Sequence, residues 1–259
     1  MQVDALSYTD ITELPGQNFT DEQLRMMKMR YFQASKLTEG KDVLEIACGP
    51  GLGASHLIKK GAKSYWGGDI NPAVVELAKK NNPFSNAHFK ELDAHKLSFD
   101  DNSFDVILCF EALFYFQDVD KCIAEMKRVL RPGGKALICI PNKEIKGFIG
   151  SQYSVAYYNN AELKKIFEKS FSEVQIFGTF KIASDVVKNA RFLRIQAAKL
   201  MNILPGAKVI KEALKKVLLK KNIELQKNLT IEDEFEEAID LLDENLVDND
   251  YKLLYCFAG

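Results

Sequence analysis

The sequence predicts an α/β fold of the doubly wound, Rossmann-like type, in which a mostly parallel sheet carries helices on both faces. Three observations predict it. An apolar strand runs into a glycine turn and a helix between Val43 and Lys60, and strand-like and helix-like segments then alternate as far as Pro141. The second and third strands end in carboxylates, Asp69 and Asp93, at the position where open parallel sheets bind ligands.

The glycine turn reads VLEIACGPGLGA, Val43 to Ala54. Gly49, Gly51 and Gly53 leave the backbone bare and free to adopt positive φ, while the free N–H groups of the following helix point at the same spot. A small polar ligand is expected there. Glu45 lies inside an apolar strand, where an unpaired charge is costly, so it is expected at the strand's carboxyl end, facing the ligand. The plain alternative is a glycine turn that binds nothing.

The elements follow in order. Met1 to Asn18 reads as an irregular arm that Pro15-Gly16 turns away, and Thr20-Asp21 opens a helix with Leu24, Met27, Tyr31 and Ala34 at helical spacing. After the glycine turn, the helix Ala54 to Lys60 stops at Gly61, and Tyr65 to Asp69 is the second strand. Asn71-Pro72 caps a helix that runs to Lys80. Ala87 to Asp93 is a third strand, and Phe104 to Phe110, almost continuously apolar, is a central fourth. Asp118 caps a helix with Ile123, Met126, Val129 and Leu130 on one face, and Arg131-Pro132-Gly133-Gly134 breaks it before the strand Ala136 to Ile140. A helix at Ala161 to Lys169 and strands at Val174 to Gly178 and Lys252 to Phe257 complete the core.

The stretches E-x-A-C-G-P-G-L-G from Glu45, GGDINP from Gly67, ELDAHKLSFDDNSFDVILCFEALFYF from Glu91 and RVLRPGGKALICIPN from Arg128 occur in one order. Together they resemble the motifs of class I S-adenosylmethionine-dependent methyltransferases, over about Arg30 to Phe177. Ala47 stands where that family has its first glycine. The resemblance implies a seven-stranded sheet whose last strand is antiparallel, and S-adenosylmethionine as cofactor. It implies cofactor contacts from Tyr31, Glu45, Ala47, Gly49, Gly51, Asp69, Ile70, Asp93, Ala94 and Phe110. Asp69 would take both ribose hydroxyls and Asp93 the adenine amine, with Ile70 on the adenine face and Tyr31 over the methionine end. In sugar and small-molecule relatives the fourth strand ends in E-x-x-E-H, whose histidine lies near the acceptor. Here Tyr115 takes the histidine's place, so Glu111, Tyr115 and Tyr157 are expected around the acceptor and Tyr115 is the catalytic candidate. An unperturbed phenol titrates near 10, which suits orienting an acceptor better than deprotonating it.

Composition narrows the partners. Lys plus Arg, 35, nearly equals Asp plus Glu, 36, so no global charge argues for nucleic acid, and the N-P-P-Y signature of amine-methylating nucleic-acid enzymes is missing after the fourth strand. The five cysteines form no C-x-x-C pair and read as buried thiols of a reducing cytoplasm. Three scattered histidines give no metal set, and the longest apolar run, Val106 to Phe116, is interrupted by Glu111, so neither a signal segment nor a membrane span is expected. The resulting expectation is a methyltransferase acting on a small molecule such as a sugar, glycolipid or secondary metabolite. A nicotinamide-dependent oxidoreductase and a non-catalytic S-adenosylmethionine-binding protein are the competing readings.

Residues 1–183 are expected to form the arm and core, 184–245 a helical insertion and 246–259 the final core strand. The insertion reads as helices at Ser184 to Leu204, Ala207 to Lys221 and Ile231 to Glu244, serving as an active-site lid or as a homodimerisation platform. The basic face of the middle helix, from Lys208 to Lys221, is expected to be structural, with an anionic membrane as the alternative contact.

Overall fold

The computed structural model describes residues 12–182, 223–231, 237–242 and 250–259. After β1 (Asn18–Phe19) the chain enters α1 (Asp21–Thr38) through a capping box. The Thr20 side chain accepts the Gln23 backbone N–H, and the Gln23 side chain accepts that of Thr20. The core then alternates through β2 (Asp42–Ile46), α2 (Ala54–Lys59), β3 (Ser64–Asp69), α3 (Pro72–Asn81), β4 (Ala87–Glu91), β5 (Phe104–Phe110), α4 (Val119–Val129) and β6 (Leu130–Pro141). It ends with α5 (Asn160–Phe167), β7 (Val174–Lys181), β8 (Ile223–Glu224), β9 (Ile239–Leu241) and β10 (Tyr251–Ala258). Asn71, Asp118 and Asn159 cap α3, α4 and α5 with their side chains, as polar residues placed just before apolar runs do.

Among the described residues the main sheet has eight strands, in the order β4-β3-β2-β5-β6-β10-β7-β9. Its first five are parallel, and β10 inserts antiparallel between β6 and β7. Alternate residues of β5 supply two cores. Ile107 and Cys109 pack with Ile123 and Met126 of α4 and Leu163 of α5, whereas Val106, Leu108 and Phe110 pack with Met27 of α1, Leu57 of α2 and Val75 of α3. Burial of β5 on both faces is why its sequence runs apolar without alternation. All five cysteines are buried free thiols.

Two expectations change. The sheet has eight strands rather than seven, and the additional one, β9, falls inside the stretch Ile231 to Glu244 read as helix. Ile239 and Leu242 have helical spacing, but the open edge of β7 pairs with Ile239–Leu241, and Tyr251 Oη donates to Asp240 at 2.6 Å. The described part of the insertion before it is also not helical. Ile223–Glu224 pairs antiparallel with Asn18–Phe19, Leu225 and Leu229 are buried against the α1–α2 core, and Leu229 N–H donates to Leu52 O at 3.2 Å. The helices expected at Ser184 to Leu204 and Ala207 to Lys221 lie outside the described residues.

Candidate active site

The carboxyl ends of β2, β3 and β5, the segment after β4 and the N-terminal arm enclose a cavity of about 780 Å3. That is within the size range of small-molecule sites. Its floor is the glycine turn. Gly49 and Gly51 have φ of 55° and 71°, and Ala47 has φ of 57°, so the residue at the family's glycine position holds the left-handed conformation without being glycine. Asp69 ties this turn down: its Oδ2 accepts Gly49 N–H at 3.0 Å and its Oδ1 accepts Asn71 N–H at 3.0 Å. Burial raises the Asp69 carboxyl above its usual range, against backbone hydrogen bonds from Asn71, Gly49 and Ile70.

Glu45 sits at the back of the cavity, buried, accepting from Tyr31 Oη at 2.8 Å and Tyr65 Oη at 2.5 Å. Tyr31 reaches it from α1 and stands edge-on to Phe110, with ring centroids 5.4 Å apart. Glu45 is therefore the strand-end acid expected from the sequence, satisfied by two phenols rather than by a cation.

On the adjoining wall, Asp93 Oδ1 accepts the backbone N–H of His95 at 2.9 Å and lies 2.8 Å from His95 Nδ1. His95 Nε2 accepts Asp118 N–H at 3.2 Å, so the proton resides on Nδ1 and the ring links Asp93 to the cap of α4. Ala94 and the 43% exposed Ile70 line the same side.

Glu111 follows β5 at φ 54°, held by its N–H donating to Cys139 O at 2.8 Å. A non-glycine residue in this region stores roughly 1 to 3 kcal/mol of strain, and such residues cluster at functional sites. Next to it Arg30 makes a two-pronged ion pair with Glu13 of the arm, at 3.0 and 3.1 Å. Thr12 brings the arm over the turn, and a Cβ on Gly49 would lie 3.4 Å from its methyl carbon.

Nine of the ten expected cofactor residues line this cavity; Gly51 does not. A Cβ at Gly51 would meet Asn82 Nδ2 at 2.7 Å and the Phe89 ring at 2.9 Å, so this glycine serves packing of the turn against α3 and β4. Glu111 and Tyr115 also line the cavity, but Tyr157 stacks behind Phe114 at 4.6 Å with its hydroxyl accepting Ser151 N–H, and neither Tyr153 nor Tyr158 reaches the lining. Burial pushes the Tyr115 phenol up, further from the range of a base. The residues that sequence reasoning missed are Thr12, Glu13, Arg30 and His95. The arm contacts span a turn of irregular chain, but the D-A-H spacing, which lets Asp93 accept from the residue two positions on, was a readable signal.

Burial raises both Glu45 and Glu111 to about 7, opposed at Glu45 by its two phenol donors and at Glu111 by Arg30. Each folded-state value lies above the ordinary 4.5, so the folded form holds these protons better than the unfolded chain. The stability they contribute is complete below 4.5 and is lost as pH rises to about 7. Asp42, lowered to about 2 by Lys63, Ser64 and Arg131 against its burial, acts only at lower pH. The Tm of the ligand-free protein is expected to fall as pH climbs through the 4.5 to 7 window, with a shallower slope in Glu111→Gln; a flat profile in differential scanning calorimetry would contradict this.

The comparisons with known proteins agree with this fold. Residues 44–138 match the family model described as a methyltransferase domain. The phthiotriol/phenolphthiotriol dimycocerosates methyltransferase of Mycobacterium tuberculosis is 46% identical over 96 residues, covering 37% of this chain and 36% of the relative. A fatty-acid O-methyltransferase of Mycolicibacterium smegmatis is 37% identical over 97 residues, covering 37% of this chain and 35% of the relative. The match thus spans about a third of each curated relative's length. Among solved structures, a SAM-dependent methyltransferase of Thermotoga maritima, described as a possible histamine N-methyltransferase, superposes with a TM-score of 0.56 at 17% identity, over 91% of this chain and 90% of that one. YcgJ of Bacillus subtilis gives 0.55 at 19%, over 91% and 97%. Among the described residues no helix is long and apolar enough to cross a membrane. The motif order, the sheet and the matched segment together make residues 44–138 similar to a methyltransferase domain, and give the chain the fold of the class I S-adenosylmethionine-dependent methyltransferases that it resembles.

Proposed function

We propose that the protein transfers a methyl group from S-adenosylmethionine to a small-molecule acceptor with a lipid-like body. The observation that carries this reading is the continuity of one cavity from Asp69 and Asp93, at the cofactor end, to Glu111 and Tyr115, where an acceptor would enter. The lipid-like body is suggested by the acceptors in the names of the two mycobacterial relatives and by the apolar Phe110, Phe114 and Phe116 on that wall.

The residues present suit the cofactor. Asp69 accepts Gly49 N–H on one oxygen and Asn71 N–H on the other, and its remaining acceptor capacity suits the ribose hydroxyls. Asp93 Oδ2 is open toward an adenine amine, and the exposed face of Ile70 suits a flat ring. The backbone at Ala47 to Gly49 and the Glu45 end would receive the amino-acid portion. When bound, the cofactor supplies an electrophilic methyl on a sulfonium. The protein's part is to hold the acceptor atom in line with it and keep water away, with a base needed only where the acceptor is a hydroxyl.

Calorimetric titration tests this. S-adenosylhomocysteine is expected to bind with one-to-one stoichiometry and NAD to give no heat; the reverse would favour the oxidoreductase reading. The cytoplasmic location, a homodimer and a lid formed by residues 184–245 remain expectations from the sequence.

A further inference from the structure

We propose that Glu111 is the proton-accepting residue for methylation of a neutral hydroxyl acceptor, and that its carboxylate makes the site reject acceptors whose head is a carboxylic acid. This rests on the methyltransferase reading above. The carboxylates that line the cavity differ in what occupies them. Glu13 holds both arms of Arg30, Glu45 holds two phenols, Asp69 holds two backbone N–H groups and Asp93 holds His95. Among the described residues, Glu111 has only the Cys139 thiol, a weak donor, at 3.8 Å. On the acceptor side of the cavity it is thus the carboxylate whose oxygens remain available, whereas the open acceptors of Asp69 and Asp93 lie at the cofactor end, and it follows β5 in a strained backbone conformation.

The surroundings set the charge of the acceptor. Arg30 from α1 faces Glu111 but is already matched by Glu13 from the arm, and Cys139 of β6 is a thiol held neutral by burial. Tyr115 and Tyr255 stay neutral phenols, because burial raises both. When Glu111 is ionised, one net negative charge therefore remains on this group of side chains, and it lies on Glu111. A second carboxylate placed against it would be repelled in a poorly solvated site, whereas a hydroxyl would donate to it. Burial also brings Glu111 to about 7, where a carboxyl is basic enough to accept a proton and still ionises near neutral pH.

The step balances. A lone pair of the acceptor oxygen forms the new O–CH3 bond, the S–CH3 bond breaks with its electron pair left on sulfur, and the hydroxyl proton passes to Glu111 Oε. Positive sulfonium and negative carboxylate thereby become a neutral thioether and a carboxylic acid, which returns its proton to water after the ether leaves.

The test uses three probe acceptors of one chain length, an alkylphenol, an alkanol and a fatty acid, with wild type and Glu111→Gln. Methylation of the phenol or the alkanol is expected, with kcat rising through pH 7, while the fatty acid is a poor substrate. Glu111→Gln is expected to lower kcat on the hydroxyl acceptors by about 10²-fold or more, the usual contribution of a positioned base, and to leave S-adenosylhomocysteine affinity within twofold. A readout independent of turnover is the infrared carboxyl band missing in Glu111→Gln. It should titrate well above the range of ordinary carboxylates in the S-adenosylhomocysteine complex. Better turnover of the fatty acid, no turnover of either hydroxyl probe, full activity in Glu111→Gln, or a band titrating near 4.5 would each overturn the proposal. Failure of wild type to bind S-adenosylhomocysteine would instead remove the reading beneath it.

Discussion

Asp69→Ala is expected to weaken S-adenosylhomocysteine binding by at least tenfold and up to several hundredfold while the chain stays folded. Hydrogen bonds to a charged group contribute about 1.5 to 3 kcal/mol, and each 1.4 kcal/mol is a factor of ten in affinity. Two effects add. The ribose acceptor is lost, and so is the anchor for Gly49 N–H in a turn whose φ of 55° needs external support. Asn is not a mild replacement, because its amide would turn an NH2 toward either the Gly49 or the Asn71 N–H, placing donor against donor. Asp69→Asn should therefore fall closer to Asp69→Ala than to wild type. The fold itself should survive, because Asp69 ends β3 at the cavity and the strand's pairing with β2 and β4 is made by backbone groups. Calorimetric titration together with a circular-dichroism melt checks this; an undiminished affinity in folded Asp69→Ala would detach the strand-end acid from cofactor binding.

The parts of the fold that the sequence made legible are those decided locally. β2, the glycine turn and α2 follow from an apolar run, three glycines and a helix-forming segment, and side-chain caps stand at Thr20, Asn71 and Asp118 where short polar residues precede apolar periodicity. The strand-end acids were legible for the same reason, since parallel topology alone puts Glu45, Asp69 and Asp93 at one rim. What could not be read was set by distant partners. Ile239–Leu241 has a pattern compatible with helix or strand, and the free edge of β7 decided it. Tyr157 belongs to an aromatic-rich segment, yet its ring is taken up by Phe114 and Phe148 before it can reach the cavity. Glu13 and Arg30 are separated by a turn, a short strand and half a helix, and nothing local announces their pairing.

Gly53→Ala is expected to be the most damaging single methyl in the turn, and the reason is not backbone conformation. Gly53 has φ of −93° and ψ of −12°, which any residue adopts. Its added Cβ, however, would lie 1.9 Å from Tyr31 Cε1 and 2.0 Å from Cδ1, far inside contact distance. Tyr31 cannot simply swing away. Its ring is buried between α1 and α2, sits edge-on to Phe110, and ends in the hydroxyl that donates to Glu45 at 2.8 Å. Moving it costs the overpacking strain of about 1 to 3 kcal/mol and, in addition, a hydrogen bond to a buried carboxyl, about 1.5 to 3 kcal/mol. The expected loss is several kcal/mol of stability, together with weakened binding, because Glu45 would then keep only Tyr65. The steric account makes a specific double-mutant prediction. In a Tyr31→Ala background the ring is gone, so Gly53→Ala should cost less than about 1 kcal/mol, giving a coupling energy of 2 kcal/mol or more, in the range for residues in direct contact, about 0.5 to 3 kcal/mol, or above it. Tyr31→Phe, which keeps the clashing ring carbons and removes only the hydroxyl, should leave the cost of Gly53→Ala nearly undiminished. Urea unfolding of the four-variant cycle measures this, and an equal cost of Gly53→Ala with and without the ring would show that the helix start, rather than the contact with Tyr31, requires glycine.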